Sequence, residues 1–74
     1  MIITVKLFAS LRTNRFSVRE WRCETDRSVG DVLVELGIPE EDAALIFING
    51  RHAGPSSVLR EGDVLALFPP VGGG

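Results

Sequence analysis

Apolar and polar residues alternate near the start of the chain. Ile3, Val5 and Leu7 are separated by polar residues, and β-branched and aromatic side chains dominate the segment. This period of two is typical of a strand with one buried face and one face in water. We therefore predict a first strand over residues 2–8.

A second, less regular alternation follows a polar, turn-like segment at residues 13–15. Phe16 shares one side of an extended chain with charged residues, whereas Trp21 and Cys23 share the other side. Two successive strands joined by a loop of several residues are typical of a hairpin. The pattern predicts a second strand over residues 16–23, paired with the first.

The spacing of apolar residues changes to three and four after Ser28, as on one face of a helix. Ser28 is suited to the N-cap, and Asp31 stands at the third helical position, where its carboxylate can accept from free backbone amides. Gly37 is suited to the C-cap, and Pro39 prevents continuation. The pattern predicts a short helix. Its apolar face would consist of Val29, Val32, Leu33 and Leu36.

Short apolar segments and turn residues make up the second half of the chain. An apolar run at residues 44–48 is followed by Asn49-Gly50, a pair that tolerates positive φ and favours a tight hairpin. A turn at residues 60–63 then leads into the apolar, β-rich residues 64–68. We expect this last strand to be buried between neighbouring strands.

The predicted order is strand, strand, helix, short strands, strand, without an internal repeat. An opening hairpin, a crossing helix and a closing strand are typical of an α+β fold in which the helix covers one face of a mixed sheet. Pairing of the first and last strands in the middle of that sheet would protect both from edge contacts.

Length and composition restrict the class of protein. With 74 residues, 45% hydrophobic and 24% charged, the chain fits one globular domain. A single cysteine cannot form an internal disulfide, which favours a reducing, cytoplasmic location. No apolar stretch approaches the roughly 20 residues of a membrane span, and the start lacks the features of a signal peptide. We expect no membrane partner.

The distribution of charge argues against nucleic acid as the main partner. The net charge is −2, and the eight basic residues are scattered along the chain instead of forming one block. Binding to phosphates depends on concentrated positive charge. No catalytic motif, phosphate-binding loop or metal-ligand spacing is present either. We expect neither a bound metal nor a bound cofactor.

The end of the chain breaks the globular pattern. Pro69 and Pro70 cannot donate to a sheet and favour extended geometry, so the last strand must end there and the chain must leave the body stiffly. Glycine lacks Cβ, so a glycine terminus can enter a narrow active site that side chains would block. We predict a globular domain over residues 1–69 and a flexible tail over residues 70–74; the alternative is a frayed end without a role. The tail glycines are Gly72, Gly73 and Gly74.

Three stretches make the chain similar to a known family. They are KLFASLR at residues 6–12, NGR at 49–51 and LREGDVLALFPPVGGG at 59–74. They resemble the ubiquitin-like sulfur carriers, which include the small subunit of molybdopterin synthase and the thiamin sulfur carrier. The resemblance covers the whole chain, and it implies a β-grasp, ubiquitin-like fold.

The resemblance also implies a mechanism that centres on Gly74. A ubiquitin-activating-type enzyme would use ATP to convert the terminal carboxylate into an acyl-adenylate. A sulfur donor would then displace AMP and leave a thiocarboxylate, which a synthase subunit would accept as its sulfur source. Acyl-adenylate and thiocarboxylate would be transient states, and this chain would act as a carrier and not as an enzyme.

By the same resemblance, the surface that partners recognise lies at the root of the tail. The matching positions are Phe8 and Phe68, together with the linking residues Pro69, Pro70 and Val71. Aromatic residues in strands are usually buried, so packing of Phe8 and Phe68 in the core is the alternative.

The resemblance leaves the pathway open. The stretches FPPV and KLFASLR favour the molybdopterin branch, whereas the VGGG ending is also seen in thiamin-type carriers. His52 and Ala53 stand where the molybdopterin branch has an apolar contact, which is a departure from that branch. Conjugation to protein lysines is a further alternative, as is a docking or RNA-binding module with an idle tail.

Cys23 and His52 are the isolated reactive side chains of the sequence. Cys23 has no neighbouring histidine or second cysteine, so we interpret it as a small buried apolar residue and not as a sulfur relay. His52 has no second ligand at a metal-binding spacing, and we interpret it as a surface residue.

Overall fold

A computed structural model describes residues 1–71. Two 3₁₀ helices, Ala9–Arg12 and Glu40–Asp42, accompany the longer elements. The longer elements are β1 (Ile2–Leu7), β2 (Val18–Arg22), α1 (Val29–Leu36), β3 (Leu45–Ile48), β4 (Arg51–Ala53) and β5 (Val64–Phe68). No helix within this part of the chain is long and apolar enough to cross a membrane.

The five strands form one mixed sheet in the order β2-β1-β5-β3-β4. β1 and β5 pair in parallel, and the other neighbours pair in an antiparallel manner. The first and last strands therefore lie inside the sheet, as predicted, and the edges are β2 and β4. The predicted α+β class, with one main helix and a mixed sheet, is confirmed.

The core lies on one face of the sheet, where α1 packs. The alternating residues of β1 are almost completely buried, and the apolar face predicted for the helix joins them. Leu36, at the end of that helical face, is half-buried. Burying side chains of this size contributes about 1.5–3 kcal/mol each. The least exposed core residues are Ile3, Val5, Leu7, Val29, Val32, Leu33, Leu59, Leu65 and Leu67.

Both ends of α1 are set by the residues that the sequence indicated. Ser28 Oγ accepts from the amide of Asp31 at 3.1 Å, and the Asp31 carboxylate accepts from the amide of Ser28 at 3.0 Å. Gly37 adopts φ 72°, the left-handed conformation of a C-cap. Arg15 adds a contact across 22 residues, since its guanidinium donates to the carbonyl of Gly37 at 3.2 Å.

The strand boundaries differ from the predictions near the first connection. β1 ends at Leu7 because Ala9 adopts φ 52° and begins a 3₁₀ helix, which the sequence pattern did not indicate. β2 is shorter than predicted and begins at Val18, after a turn in which Asn14 has φ 58°. The last strand lies between the neighbouring strands β1 and β3, as predicted, and its residues alternate between fully and partly buried.

Candidate functional site

The face of the sheet opposite α1 carries no helix in residues 1–71, and we call it the open face. Because strand side chains alternate, the residues next to the buried ones point to this face. Most of them are half-buried and apolar, and Ile2 and Leu45, the first residues of β1 and β3, are 37% exposed. On the three inner strands the half-buried ones are Thr4, Lys6, Phe47, Val64, Ala66 and Phe68.

A row of aromatic rings crosses one end of the open face. The rings of Phe8 and Phe68 stack with centroids 4.2 Å apart and an interplanar angle of 9°. Phe47 meets Phe68 edge to face at 5.7 Å, and His52 meets Phe47 edge to face at 5.6 Å. Such pairs contribute about 0.5–1.5 kcal/mol each beyond the area they bury. The row is therefore a rigid feature that spans β1, β5, β3 and β4.

Strand register explains why these rings meet. Phe8 follows the last residue of β1, and its amide donates to the carbonyl of Leu67 at 3.2 Å, which continues the parallel pairing past the strand end. Phe47 lies opposite Ala66 on β5, and Phe68 stands two residues further along β5 on the same face. The small side chain of Ala66 leaves room for the two rings to meet. The register thus brings together residues that are far apart in sequence.

A shallow groove of about 350 Å³ runs beside the rings. Its lining is apolar apart from one ammonium group, that of Lys6. A contiguous apolar surface of this kind on a small protein is typical of sites that contact other proteins. The groove is lined by Lys6, Phe8, Phe47, Gly50, Val64, Ala66 and Phe68.

The aromatic row lies where the chain leaves the sheet. Phe68 is the last residue of β5, and Pro69 after it is half-buried. Pro70 is exposed and Val71 has 88% of its surface accessible, so an apolar side chain stands in water beside the row. The predicted tail residues Gly72, Gly73 and Gly74 lie outside the described part of the chain.

The sequence left open whether Phe8 and Phe68 belong to the core. Both are half-buried on the face opposite the core, and they contact each other directly. Sequence reasoning did not single out Phe47 or Lys6 as members of this surface. A signal was available for each, since both stand one residue from a buried strand position and share its period of two.

Cys23 is half-buried beside the core and not fully buried as interpreted from the sequence. Burial raises the pKa of its thiol, and the nearby terminal amino group opposes this shift more weakly. The thiolate is therefore disfavoured at neutral pH, which reduces the nucleophilicity of the sulfur. Nothing in this environment supports a relay.

His52 is exposed, as interpreted from the sequence, and its ring also belongs to the aromatic row. Trp21 packs against the core and donates from Nε1 to Glu35 at 3.1 Å. Within residues 1–71, no three His, Cys, Asp or Glu side chains form a group that could hold a metal ion.

Comparisons with known proteins agree on one family. The model of the ThiS family matches residues 5–74. Small archaeal modifier protein 3 of Haloferax volcanii is 35% identical, and the match covers 73% of this chain and 77% of that protein.

Two solved structures share the fold along nearly the whole chain. The crystal structure of small archaeal modifier protein 1 of H. volcanii has a TM-score of 0.73 and 28% identity, covering 95% of this chain and 98% of that one. A putative molybdopterin converting factor, subunit 1, of Pyrococcus furiosus has a TM-score of 0.77 and 29% identity, covering 96% and 99%.

Proposed function

This chain belongs to the ThiS family of ubiquitin-like sulfur carriers and modifiers, and from that premise we propose that Gly74 carries sulfur as a C-terminal thiocarboxylate. The sulfur is delivered to cofactor biosynthesis, and the product we favour is molybdopterin. The chain acts as a carrier, and the catalytic groups belong to its partners.

The observation that carries the proposal is the stacked pair of Phe8 and Phe68 on the open face. A small protein that serves another enzyme needs a surface by which it is recognised close to the group that reacts. The aromatic row provides rigid apolar rings next to the exit of the chain at Pro69. We assign this surface, with Pro70 and Val71, to docking on the adenylating enzyme.

Loading proceeds in two steps. A terminal carboxylate oxygen of Gly74 attacks the α-phosphorus of ATP, so that an acyl-adenylate forms and pyrophosphate leaves. Hydrosulfide (HS⁻) then attacks the acyl carbon, the bond to AMP breaks so that AMP leaves, and loss of the proton from sulfur gives the thiocarboxylate. Glycine at the reacting position suits both steps because no Cβ blocks approach to the acyl carbon.

Two kinds of relative favour different uses of the activated end. The similarity to a protein named as a molybdopterin converting factor subunit supports sulfur delivery to a synthase subunit. The similarity to small archaeal modifier proteins supports a second candidate, in which the activated glycine is joined to lysines of other proteins. A thiamin-type carrier is the remaining alternative, since the matching family model is that of ThiS.

Mass spectrometry of the intact protein tests the carrier function. After incubation with the adenylating enzyme of the source organism, ATP and sulfide, we expect a gain of about 16 Da, the difference between carboxylate and thiocarboxylate. A reaction without ATP is the control, because the acyl-adenylate cannot form. An unchanged mass with an enzyme that loads another carrier would contradict the proposal.

The docking surface is tested by replacing one ring at a time. We expect Phe8→Ala and Phe68→Ala each to weaken binding to the adenylating enzyme by at least about tenfold, as for aromatic residues central to an interface. Val34→Ala is the matched control, since Val34 is 79% exposed on α1 and lies outside the open face. Equal losses for all three variants would show that the open face is not the docking surface.

The modifier function has a separate signature. If the glycine is joined to proteins, tagged chain recovered from cells under denaturing conditions is attached through isopeptide bonds to lysines. Free thiocarboxylated chain without such adducts would favour the carrier function alone.

A further inference from the structure

Lys6 is the only lysine in the 74-residue sequence, and it lies within the open face. Its cross-strand neighbours are Val18 on β2 and Ala66 on β5. The other residues that line the same groove carry no charge. Lys6 therefore places a single positive charge in a groove whose other lining residues are apolar.

The charge of Lys6 is not neutralised by a carboxylate within residues 1–71. The one ion pair in this part of the chain joins Arg27 to Glu35. Glu20 stands on the same side of β2 as Val18, two residues further along the strand, yet it forms no ion pair with Lys6. The ammonium group is therefore available to an external acceptor.

Docking changes the environment of this group. A partner that covers the aromatic row also removes water from the groove, and an ammonium that loses water without gaining an acceptor strongly opposes association. We propose that the adenylating enzyme presents an aspartate or glutamate carboxylate to Lys6 when its apolar surface covers Phe8 and Phe68. This inference rests on the proposed function, and it adds the chemistry that the partner must carry.

A second copy of this chain offers no carboxylate in the groove lining, because Glu20 lies on the edge strand β2, outside the groove. Two open faces packed against each other would bring two Lys6 ammonium groups into one apolar region, and like charges across an interface disfavour association. An apolar partner without a carboxylate is disfavoured for the reason given above. The single charge thus selects one kind of partner among the many that carry an apolar surface.

The test measures the affinity of the purified chain for the adenylating enzyme of the source organism by calorimetry, at low and high salt. We expect Lys6→Met to weaken binding by about tenfold or more, because it leaves the carboxylate of the enzyme buried and unpaired. Lys6→Glu should weaken binding further, through repulsion. Lys6→Arg is the matched control, and its affinity should stay within about threefold of the parent, since the charge is kept.

Reversal of charge on the enzyme identifies the acceptor. Replacement of its aspartate or glutamate opposite Lys6 by lysine should weaken binding of the parent chain and restore binding of Lys6→Glu. Thermal unfolding of each variant verifies that the fold is kept, as expected for a half-buried strand position on the face away from the core.

Two results would overturn the inference, and only the second would also refute the docking surface. Unchanged affinity of Lys6→Met together with weak binding of Phe68→Ala would show that the ammonium stays in water at the rim, and the docking surface would stand. Unchanged affinity of both variants would refute the docking surface as well.

Discussion

Ser28 and Asp31 determine where α1 begins. Each residue accepts a hydrogen bond from the backbone amide of the other, so two amides that have no partner within the helix are satisfied. The hydrogen bonds from the amide and the hydroxyl of Ser28 lower the pKa of the Asp31 carboxyl from its ordinary value. The charged form of Asp31 therefore favours the folded state.

This cap predicts a dependence of stability on pH. The pKa of Asp31 is lower in the folded chain than in the unfolded chain, so its contribution is complete above the unfolded value, near 4, and is lost as the pH falls through the folded value. Asp31→Asn keeps an acceptor but removes the charge. We expect a lower melting temperature than the parent at pH 7 and a smaller difference at pH 3, measured by circular dichroism.

A matched control for the cap is Glu41→Gln, which neutralises an exposed carboxylate in the 3₁₀ helix Glu40–Asp42. Its melting temperature should follow that of the parent at every pH. A deficit of Asp31→Asn that stays constant as the pH falls would show that the charge of Asp31 has no part in the cap.

The turn between β3 and β4 depends on Asn49 and Gly50. Asn49 and Gly50 have φ of 53° and 79°, so both central residues are left-handed, as the hairpin requires. The side chain of Asn49 also donates to Asp63 and accepts from the amide of Val64, each at 2.9 Å. The turn therefore holds the start of β5 as well as reversing the chain.

Substitution of Gly50 tests the backbone requirement of this hairpin. An added Cβ meets no atom within 4 Å, so the cost of Gly50→Ala comes from its φ alone. We expect the free energy of unfolding in urea to fall by about 1–2 kcal/mol. Gly54→Ala is the control, because its Cβ also meets open space and its φ is not left-handed; restricting the unfolded chain there should leave stability equal or higher. Equal losses for both variants would contradict this account.

The elements that the sequence predicted well are those encoded by neighbouring residues. The helix with its caps, the Asn49-Gly50 hairpin and the alternation in β1 each follow from side chains within a few positions of one another. The 3₁₀ helix at Ala9–Arg12 was missed because its left-handed start falls on alanine, which gives no local signal for that conformation. Contacts across the fold gave no signal either, as with Arg15 at the end of α1.

In the candidate site, too, the features encoded locally could be predicted and those that depend on distant contacts could not. Phe8 and Phe68 were indicated by a family resemblance, and the strand period indicates which face each residue takes once its strand is known. That the two rings stack, and that Phe47 joins them, depends on the register of β1, β5 and β3. Register follows from the whole hydrophobic pattern of a sheet, which is why these contacts could not be predicted from the sequence alone.

For the molecule as a whole, the core and the proposed docking surface lie on opposite faces of one sheet. The core includes all the residues that are almost completely buried, and these lie on the α1 side between Ile3 and Leu67. The open face carries the aromatic row and Lys6. Substitutions on the open face therefore create no cavity in the core, so they can test partner binding separately from stability.

This separation extends to the end of the chain. Every core residue precedes Pro69, so removal of residues 72–74 takes away no buried apolar surface of the described fold. We expect the truncated chain to have the melting temperature of the parent and to gain no sulfur on incubation with the adenylating enzyme, ATP and sulfide. Gly74→Ala is the matched control for length: it should fold equally well but load poorly, since its Cβ stands next to the acyl carbon. A truncated chain that melts earlier would show that the last glycines support the fold, and loading of that chain would show that Gly74 is not the reacting residue.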